Sequence, residues 1–534
     1  SLSSAQVSSS TSSSKRLPLP FAPAPEVVPP GSSSGAVAFP LLLPPNIFIM
    51  IYTLPLGASM RRALSLSLSL LLLAGCSARD NGLPLPKPQP KEGSSTLHLS
   101  VRAPRSIALR GLDEEDPMLR ISTLHFAFYS EDTQLSTQLR EVKVTSVDQL
   151  KDIKLSLPEG AYKLVVVANA TRPLLEHIAI GRPLSGISGY TAYLIDDLSK
   201  ASESNVSISQ LNEQGAISVP SSAFGVSAPQ VQVTLEPTLA RVLVYGEPQL
   251  PTGATRGSAP ADYLVNGIAR YTAPLRPLGL LRSGVKEVAG DGSAAADRYP
   301  SSRLYEQWGT SAPTRLAEYL SYYTPEMILG KTPTVIPRAA LLAGEEAFAA
   351  ARKSQPYYLR ETTVPPTAYL TGAVPTVVLR FPYIPAGLSL QGDEGWFSFE
   401  GWYYPERELR QIIKTGTSSN ARLQQAVQDA ALTEGSLSAP FESHGISFHH
   451  HGYCYYTIPI RHFDDSEAPE KTSHGRYGLV RGNEYRIHVT RILRPGSALP
   501  PDLSKDLRPL TEERDLRSVV HVRPVVSRSH EAHL

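Results

Sequence analysis

The chain has 534 residues, with 51 Lys and Arg against 49 Asp and Glu and a formal net charge of +2. That near-balance excludes the strongly basic signature of a nucleic-acid binder, and the length allows two or three domains with real cores. With 47 Pro, 37 Gly and 24 Tyr but only 2 Cys, the composition favours strands and turns and leaves stability to burial and hydrogen bonding.

Residues 1–59 are rich in Ser and Pro, and their apolar patch is broken by Pro44 and Pro45. They are expected to be a non-native or disordered extension, with Met60 as the true start. Residues 60–77 read MRRALSLSLSLLLLAGCS: two arginines, an apolar run too short to span a bilayer, and small Ala74 and Gly75 before Cys76. This layout resembles a bacterial lipoprotein signal, which implies cleavage before Cys76, a lipid on its thiol, and a non-cytoplasmic location for everything downstream. Cys454 is then alone, so no intramolecular disulfide is available.

Residues 80–95 are rich in Pro, Lys and Gly and suit an extended tether. Leu97, Leu99 and Val101 then alternate with His98, Ser100 and Arg102, the pattern of a half-buried strand. Arg105 and Arg110 follow, ahead of the acidic loop 111–117 (GLDEEDP), which should be exposed. A strand over 121–129 carries Leu124, Phe126 and Phe128 on one face. Ile153, Leu155 and Leu157 alternate next, and Pro158-Glu159-Gly160 predicts a hairpin turn into 161–170. Val231, Val233 and Leu235 alternate again, and 239–245 makes a further strand. These short strands predict a β-sandwich over 111–246.

Residues 251–297, rich in Gly, Ala, Pro and Ser, read as a junction or long loop. A short helix is expected within 305–323 and another over 339–353 (AALLAGEEAFAAARK), despite Gly344. Strands are expected at 376–383 and 396–404, the latter dense in aromatics. Asn420 caps a helix in which Leu423, Val427 and Ala431 share a face. Two further strands, 453–460 and 484–493, flank the polar loop 464–478. A second β-domain with helical insertions, 247–510, follows from this pattern. After the spacer 500–514 comes an isolated β-prone stretch that includes Val519, Val520, Val522, Val525 and Val526.

Four segments in this order carry a resemblance: LHLSV at 97–101 before an arginine, GAYKLVVVAN at 160–169, LARV at 239–242 and RGNEYRIHV at 481–489. Together with the leader they resemble the fimbrillins that build the type V fimbriae of the Bacteroidales. The terminal residues 522–534 are similar to the tail of the stalk subunit of the short (minor) fimbria. They depart from it at Val525, where a tryptophan is expected after Pro524. The resemblance makes 453–460 and 484–493 the central hairpin of the C-terminal sandwich. It implies a mainly β fold of two Greek-key-like β-sandwich domains with short helical insertions in the second.

It also implies a mechanism. The precursor is held at the outer membrane by its lipid, and an arginine-specific protease cuts beyond the first strand. That strand leaves, and the terminal strand of another copy fills the groove, giving an open head-to-tail filament. Arg110 is the best cleavage position, giving a chain that starts at Gly111; Arg105 is second, and Arg102 and Arg120 lie within or against strands. The chain divides accordingly into the extension 1–59, the signal 60–76, a tether and first strand 77–110, the sandwiches 111–246 and 247–510, and the donor tail 511–534. The partners implied are further copies of the chain, accessory fimbrial subunits, the protease and host or bacterial surface ligands, in the service of adhesion and biofilm formation. A tip or anchor subunit of the same fimbria shares the fold.

Other motifs point elsewhere. His444, His449, His450, His451 and His462 crowd around Cys454, but three consecutive strand residues cannot face one metal without a turn. Gly330-Lys331-Thr332 lacks the Gly-rich turn of a phosphate loop, with Pro325 where its first glycine should stand, and His530-Glu531-Ala532-His533 is one residue short of the helical zinc-protease spacing. Asn169-Ala170-Thr171 is a formal glycosylation acceptor but reads as a strand end. No catalytic triad or carboxylate pair can be assembled, so the expectation is a protein that is not an enzyme and needs no cofactor or metal. The aromatic stretch 396–404 leaves one alternative of a different class, a glycan-binding surface lipoprotein that keeps its lipid.

Overall fold

The computed structural model describes residues 94–102, 121–188, 207–209, 217–219, 229–271, 274–275, 308, 311, 313–354, 358–462, 475–511 and 515–524. Cys76, Arg105, Arg110, Gly111, Arg120, Val525, Val526, the leader, the tether and His530 to His533 lie outside the described residues. Among those described, no helix is long and apolar enough to cross a membrane. The chain is mainly β, with a few short helices.

The first half builds one sheet system from β1 (Ser94–Arg102), β2 (Thr123–Ser130), β3 (Ser136–Lys143), β4 (Ile153–Pro158), β5 (Gly160–Ala168), β6 (Ser207–Ser209), β7 (Ile217–Val219) and β8 (Gln230–Pro237). The order is β3-β2-β5-β6-β8-β1-β4, with β7 on β5. Period-2 alternation works as the sequence predicts in β4, where Ile153, Leu155 and Leu157 are buried and Lys154 and Ser156 are exposed. These side chains meet Leu124, Phe126 and Phe128 of β2 and Leu164 and Val166 of β5 in one core. The opposite face of β2 and β5 is also covered. Leu174 and Ile178 of helix α1 (Arg172–Ile178) pack there on Ala127, Tyr129, Val165 and Val167, which explains why β2 is buried on both faces.

The expected hairpin of β4 and β5 does not form. β4 pairs with β1, while β5 pairs with β2, β6 and β7. Alternation reports which face is buried, and both strands do point their apolar residues into the same core, but it does not choose the neighbour.

Leu239–Tyr245, expected as the last strand of the first sandwich, belongs instead to the second. This strand, β9, lies in a sheet ordered β11-β9-β18-β19, where β11 is Tyr358–Arg360, β18 is Asn483–Ile492 and β19 is Leu516–Pro524. The facing sheet centres on β12 (Thr376–Ile384), flanked by β10 (Asp262–Asn266) and β17 (Tyr453–Pro459). Val242, Val244, Tyr485, Ile487 and Val489 from one sheet and Val377, Leu379, Phe381, Tyr456 and Ile458 from the other form the core between them. The implied hairpin of 453–460 with 484–493 is therefore corrected: β17 and β18 stand in opposite sheets, β17 beside β12 and β18 beside β9 and β19.

Between β12 and β17 the chain inserts a small layer of its own. Strands β13 (Trp396–Phe399) and β14 (Trp402–Pro405) form a hairpin, helices α3 (Glu406–Thr415) and α4 (Ala421–Asp429) follow, and β15 (Phe441–Ser443) and β16 (Ile446–His449) complete a sheet ordered β14-β13-β16-β15. The single strand expected at 396–404 is broken because Glu400 and Gly401 both adopt positive φ, +48° and +83°, the geometry of a two-residue turn. Asn420 caps α4 as expected, its Oδ1 accepting from the backbone N–H of Arg422 at 3.1 Å and of Leu423 at 3.2 Å. Leu423 and Val427 are buried, whereas Ala431 lies beyond the helix end.

Two helix expectations shrink. Ala339–Ala340 is a short strand on β10, and the helix is confined to α2 (Phe348–Ser354) after a turn of 3-10 helix at Glu345–Ala347. Gly344, in extended conformation, is the N-cap of that turn, so the helical stretch starts only after it. Within 305–323 the regular elements described are a 3-10 turn, Leu316–Glu318, and the short strand Leu320–Ser321.

Candidate assembly site

β1 is an interior strand. It runs antiparallel to β4, with Leu97 opposite Leu155 and Leu99 opposite Ile153, and parallel to β8, with Val101 opposite Val233. Leu97, Leu99 and Val101 are all at most 5% exposed. Burying three such side chains is worth roughly 5–9 kcal/mol in all. On the outer face His98 Nδ1 lies 2.8 Å from Asp152 Oδ1 of the loop before β4. Removing β1 would unpair both β4 and β8 and open a groove floored by Leu124, Phe126, Leu155 and Leu235.

β19 is an edge strand at the other end of the chain. The sequence reads as an isolated terminal strand, yet here it pairs antiparallel with β18 along its length, from Leu516 opposite Ile492 to Pro524 opposite Asn483. Its register shifts between Val489 and Arg491, a bulge of the kind that blunts sheet edges. Leu516 is fully buried, and Val520 and Val522 pack partly against the main core. Val519, grouped with them by sequence, points the other way and is 37% exposed. Alternation had to place it there, because a strand that buries Val520 presents Val519 to solvent.

β9 and β18, which hold the resemblance segments LARV and EYRIHV, are parallel neighbours, with Arg241 directly opposite Glu484. Arg241 Nε donates to Glu484 Oε2 at 2.8 Å, Arg352 of α2 donates to both Glu484 oxygens at 2.9 and 2.7 Å, and Arg486 Nε donates to Oε1 at 2.7 Å. Burial alone would raise the Glu484 pKa, but Arg241, Arg352 and Arg486 hold it down at about 2. Just before β18, buried Arg481 pairs with Glu361 at 2.8 Å and donates to the Pro274 carbonyl at 2.6 Å. At Gly482, φ is +70° and the N–H donates to the Leu239 carbonyl at 2.8 Å. These contacts fix β18 where the two halves meet, and Leu239, Leu275 and Tyr358 share a buried cluster with Val165 and Leu174. The sequence marked these segments but not the charge network that joins them.

The histidines do not gather at one point: His450 and His451 stand ring to ring at 3.9 Å, with His451 Nδ1 2.8 Å from the Asp393 carbonyl, and the others have separate partners. His449 is buried, stacked on Trp396 with centroids 3.7 Å apart, and its Nδ1 lies 3.0 Å from the Tyr453 carbonyl and 3.3 Å from Cys454 Sγ. Burial lowers the His449 pKa to about 4 and pushes the Cys454 thiol up. His462 Nδ1 lies 2.8 Å from the Tyr485 hydroxyl, and His444 Nδ1 lies 2.9 Å from Ser443 Oγ. Among the described residues no group of three or more His, Cys, Asp or Glu is placed to hold a metal ion. Gly330-Lys331-Thr332 follows the short helix Pro325–Ile328 instead of preceding one, the reverse of a phosphate loop. Asn169 Oδ1 accepts from the Ser122 N–H at 2.9 Å and the Thr123 N–H at 3.3 Å, tying the end of β5 to the start of β2.

Residues 447–529 match the family described as "Major fimbrial subunit protein type IV, Fimbrillin, C-terminal". Over that stretch the chain is similar to the C-terminal domain of fimbrillins. The matched part of the chain runs from β16 through β17 and β18 to β19. The chain is similar to a solved Porphyromonas gingivalis fimbrillin, at 13% identity and a TM-score of 0.42, over 82% of this chain and 99% of that one. It is similar to the tip fimbrial protein Mfa3 of the same organism at 10% identity and a TM-score of 0.36, over 80% of this chain and 100% of that one. It is also similar to a Parabacteroides distasonis protein whose name refers to cell adhesion, at 12% identity and a TM-score of 0.43, over 82% and 100% of the two chains. No curated protein matches the sequence.

Proposed function

We propose that this chain is a fimbrillin, a structural subunit of a cell-surface fimbria that polymerises by strand exchange and supports adhesion. The observation that carries this is the equivalence of its two end strands. β1 and β19 each span nine residues, and each presents alternating apolar side chains to a core, Leu97, Leu99 and Val101 in one, Leu516, Val520 and Val522 in the other. A terminal strand of one copy therefore has the length and pattern to replace the first strand of the next, exchanging one ladder of backbone hydrogen bonds for another.

In this account the precursor is exported as a lipoprotein through Cys76, and an arginine-specific protease cuts between Arg110 and Gly111. β1 then leaves with the lipid. β19 peels from β18 and, with Val525 and Val526, enters the vacated groove of a neighbour. Because donor and acceptor are different surfaces, the contact repeats without closing. Accessory subunits and surface ligands bind the resulting fibre.

Deleting residues 519–534, which keeps the buried Leu516, tests the reading. The truncated chain is expected to fold and to be processed but to stay monomeric in sedimentation, whereas unimpaired polymerisation of the truncated chain would contradict it.

A further inference from the structure

The inserted layer between β12 and β17 has two unlike faces. One packs Phe397, Phe399, Ile446 and Phe448 against α3 and α4. Across the other runs a row fixed by strand register: Tyr403 of β14 opposite Ser398 of β13, Ser398 opposite Ser447 of β16, and Ser447 opposite Glu442 of β15. The row lines a cleft of about 360 Å³ whose far wall includes Arg494 and Asp515. Among the described residues, the two serine hydroxyls and the Glu442 carboxylate make no hydrogen bond to protein. Tyr403 is 42% exposed and stands edge-on against buried Trp396, with ring centroids 5.5 Å apart.

We propose that this cleft binds a neutral saccharide of one or two pyranose units, the end of a surface polysaccharide. The chemistry of the row selects the class. Two hydroxyls that both donate and accept match sugar hydroxyls that do the same, the Glu442 carboxylate accepts from one or two more, and Tyr403 supplies a ring face for the C–H side of a pyranose. An anionic ligand meets Glu442 and finds no spare cation, because Arg494 is paired with Asp515. Strand spacing of about 4.8 Å places Tyr403 and Glu442 about 14 Å apart, a row long enough to hold two pyranose rings end to end. The volume lies in the range of small-molecule sites. Trp402, 72% exposed, neighbours Tyr403 in the chain but points to the opposite face of the strand and takes no part.

The full chain is titrated with the methyl pyranosides of glucose, galactose, mannose and N-acetylglucosamine and with maltose and cellobiose, followed by saturation-transfer NMR. At least one is expected to bind. Its affinity should fall about tenfold in Tyr403→Ala and severalfold in Glu442→Gln, a loss of about 1.4 kcal/mol for the former, while Trp402→Ala leaves it unchanged. Glu442 is exposed, so Glu442→Gln reads the site without unfolding it. Saturation transfer from none of these sugars overturns the proposal, as does binding that survives both Tyr403→Ala and Glu442→Gln. Binding of a lysine peptide in place of every sugar also overturns it. The titration uses the unassembled chain, in which β19 is seated on β18 and Asp515 lines the cleft, so none of these outcomes bears on strand exchange.

Discussion

Arg241 and Glu484 stand 243 residues apart in the sequence and share a buried ion pair, each no more than 3% exposed. They face each other across the parallel strands β9 and β18, and the pair joins two segments that the sequence marks separately. Glu484→Gln removes the counter-charge of Arg241 and Arg352 at once. The expected cost is about 3–5 kcal/mol of stability, measured by urea denaturation. The double variant Arg241→Met, Glu484→Leu should cost less than the sum of the single changes, because it leaves fewer buried charges unpaired.

Stability should fall with acid in two windows. Glu484 titrates at about 2 in the folded chain against 4.5 for an ordinary glutamate, so its contribution is complete above pH 4.5 and is lost as pH falls toward 2. His449 titrates at about 4 against 6.5, so the unfolded chain takes up its proton first and stability declines from pH 6.5 to 4. His449→Gln should flatten the upper window and leave the lower one in place, read from unfolding midpoints across pH.

Leu99→Ala tests whether β1 belongs to the precursor alone. In the uncut chain it should cost about 2–5 kcal/mol, because Leu99 sits in the first core. Fibres assembled from cleaved protein should show no loss of urea resistance, since β1 has gone. An equal loss in both would mean that β1 stays.

The terminal strand has a sided pattern. Val522→Asp places a carboxylate on the inward face and should weaken assembly by about 1–3 kcal/mol. Val519→Asp lies on the outward face and should leave the polymerisation yield near that of the unchanged chain, by sedimentation.

Much of this architecture is written in the alternation of single strands. Leu97, Leu99 and Val101, or Ile153, Leu155 and Leu157, announce their buried faces without help from the rest of the chain. The Asn420 cap is equally local. Pairing is not: β4 turns away from β5 to meet β1, and β9 follows β8 after a single residue, Thr238, yet joins the other sandwich. Both choices depend on edges supplied by distant residues, which short-range periodicity does not encode. The Glu484 network was hidden for the same reason, since Arg241, Arg352 and Glu484 are neighbours only after folding. The Tyr403–Ser398–Ser447–Glu442 row was half legible: the aromatics stood out, but which of them faces the polar side follows from the turn at Glu400 and Gly401.

The account turns on whether the first strand leaves the subunit before assembly. Fibres purified from the cell surface, dissociated and subjected to N-terminal sequencing with intact mass, read this directly. A subunit beginning at Gly111, without lipid and without residues 94–102, is the predicted result. A subunit beginning at lipidated Cys76 and retaining β1 within assembled fibres would contradict it.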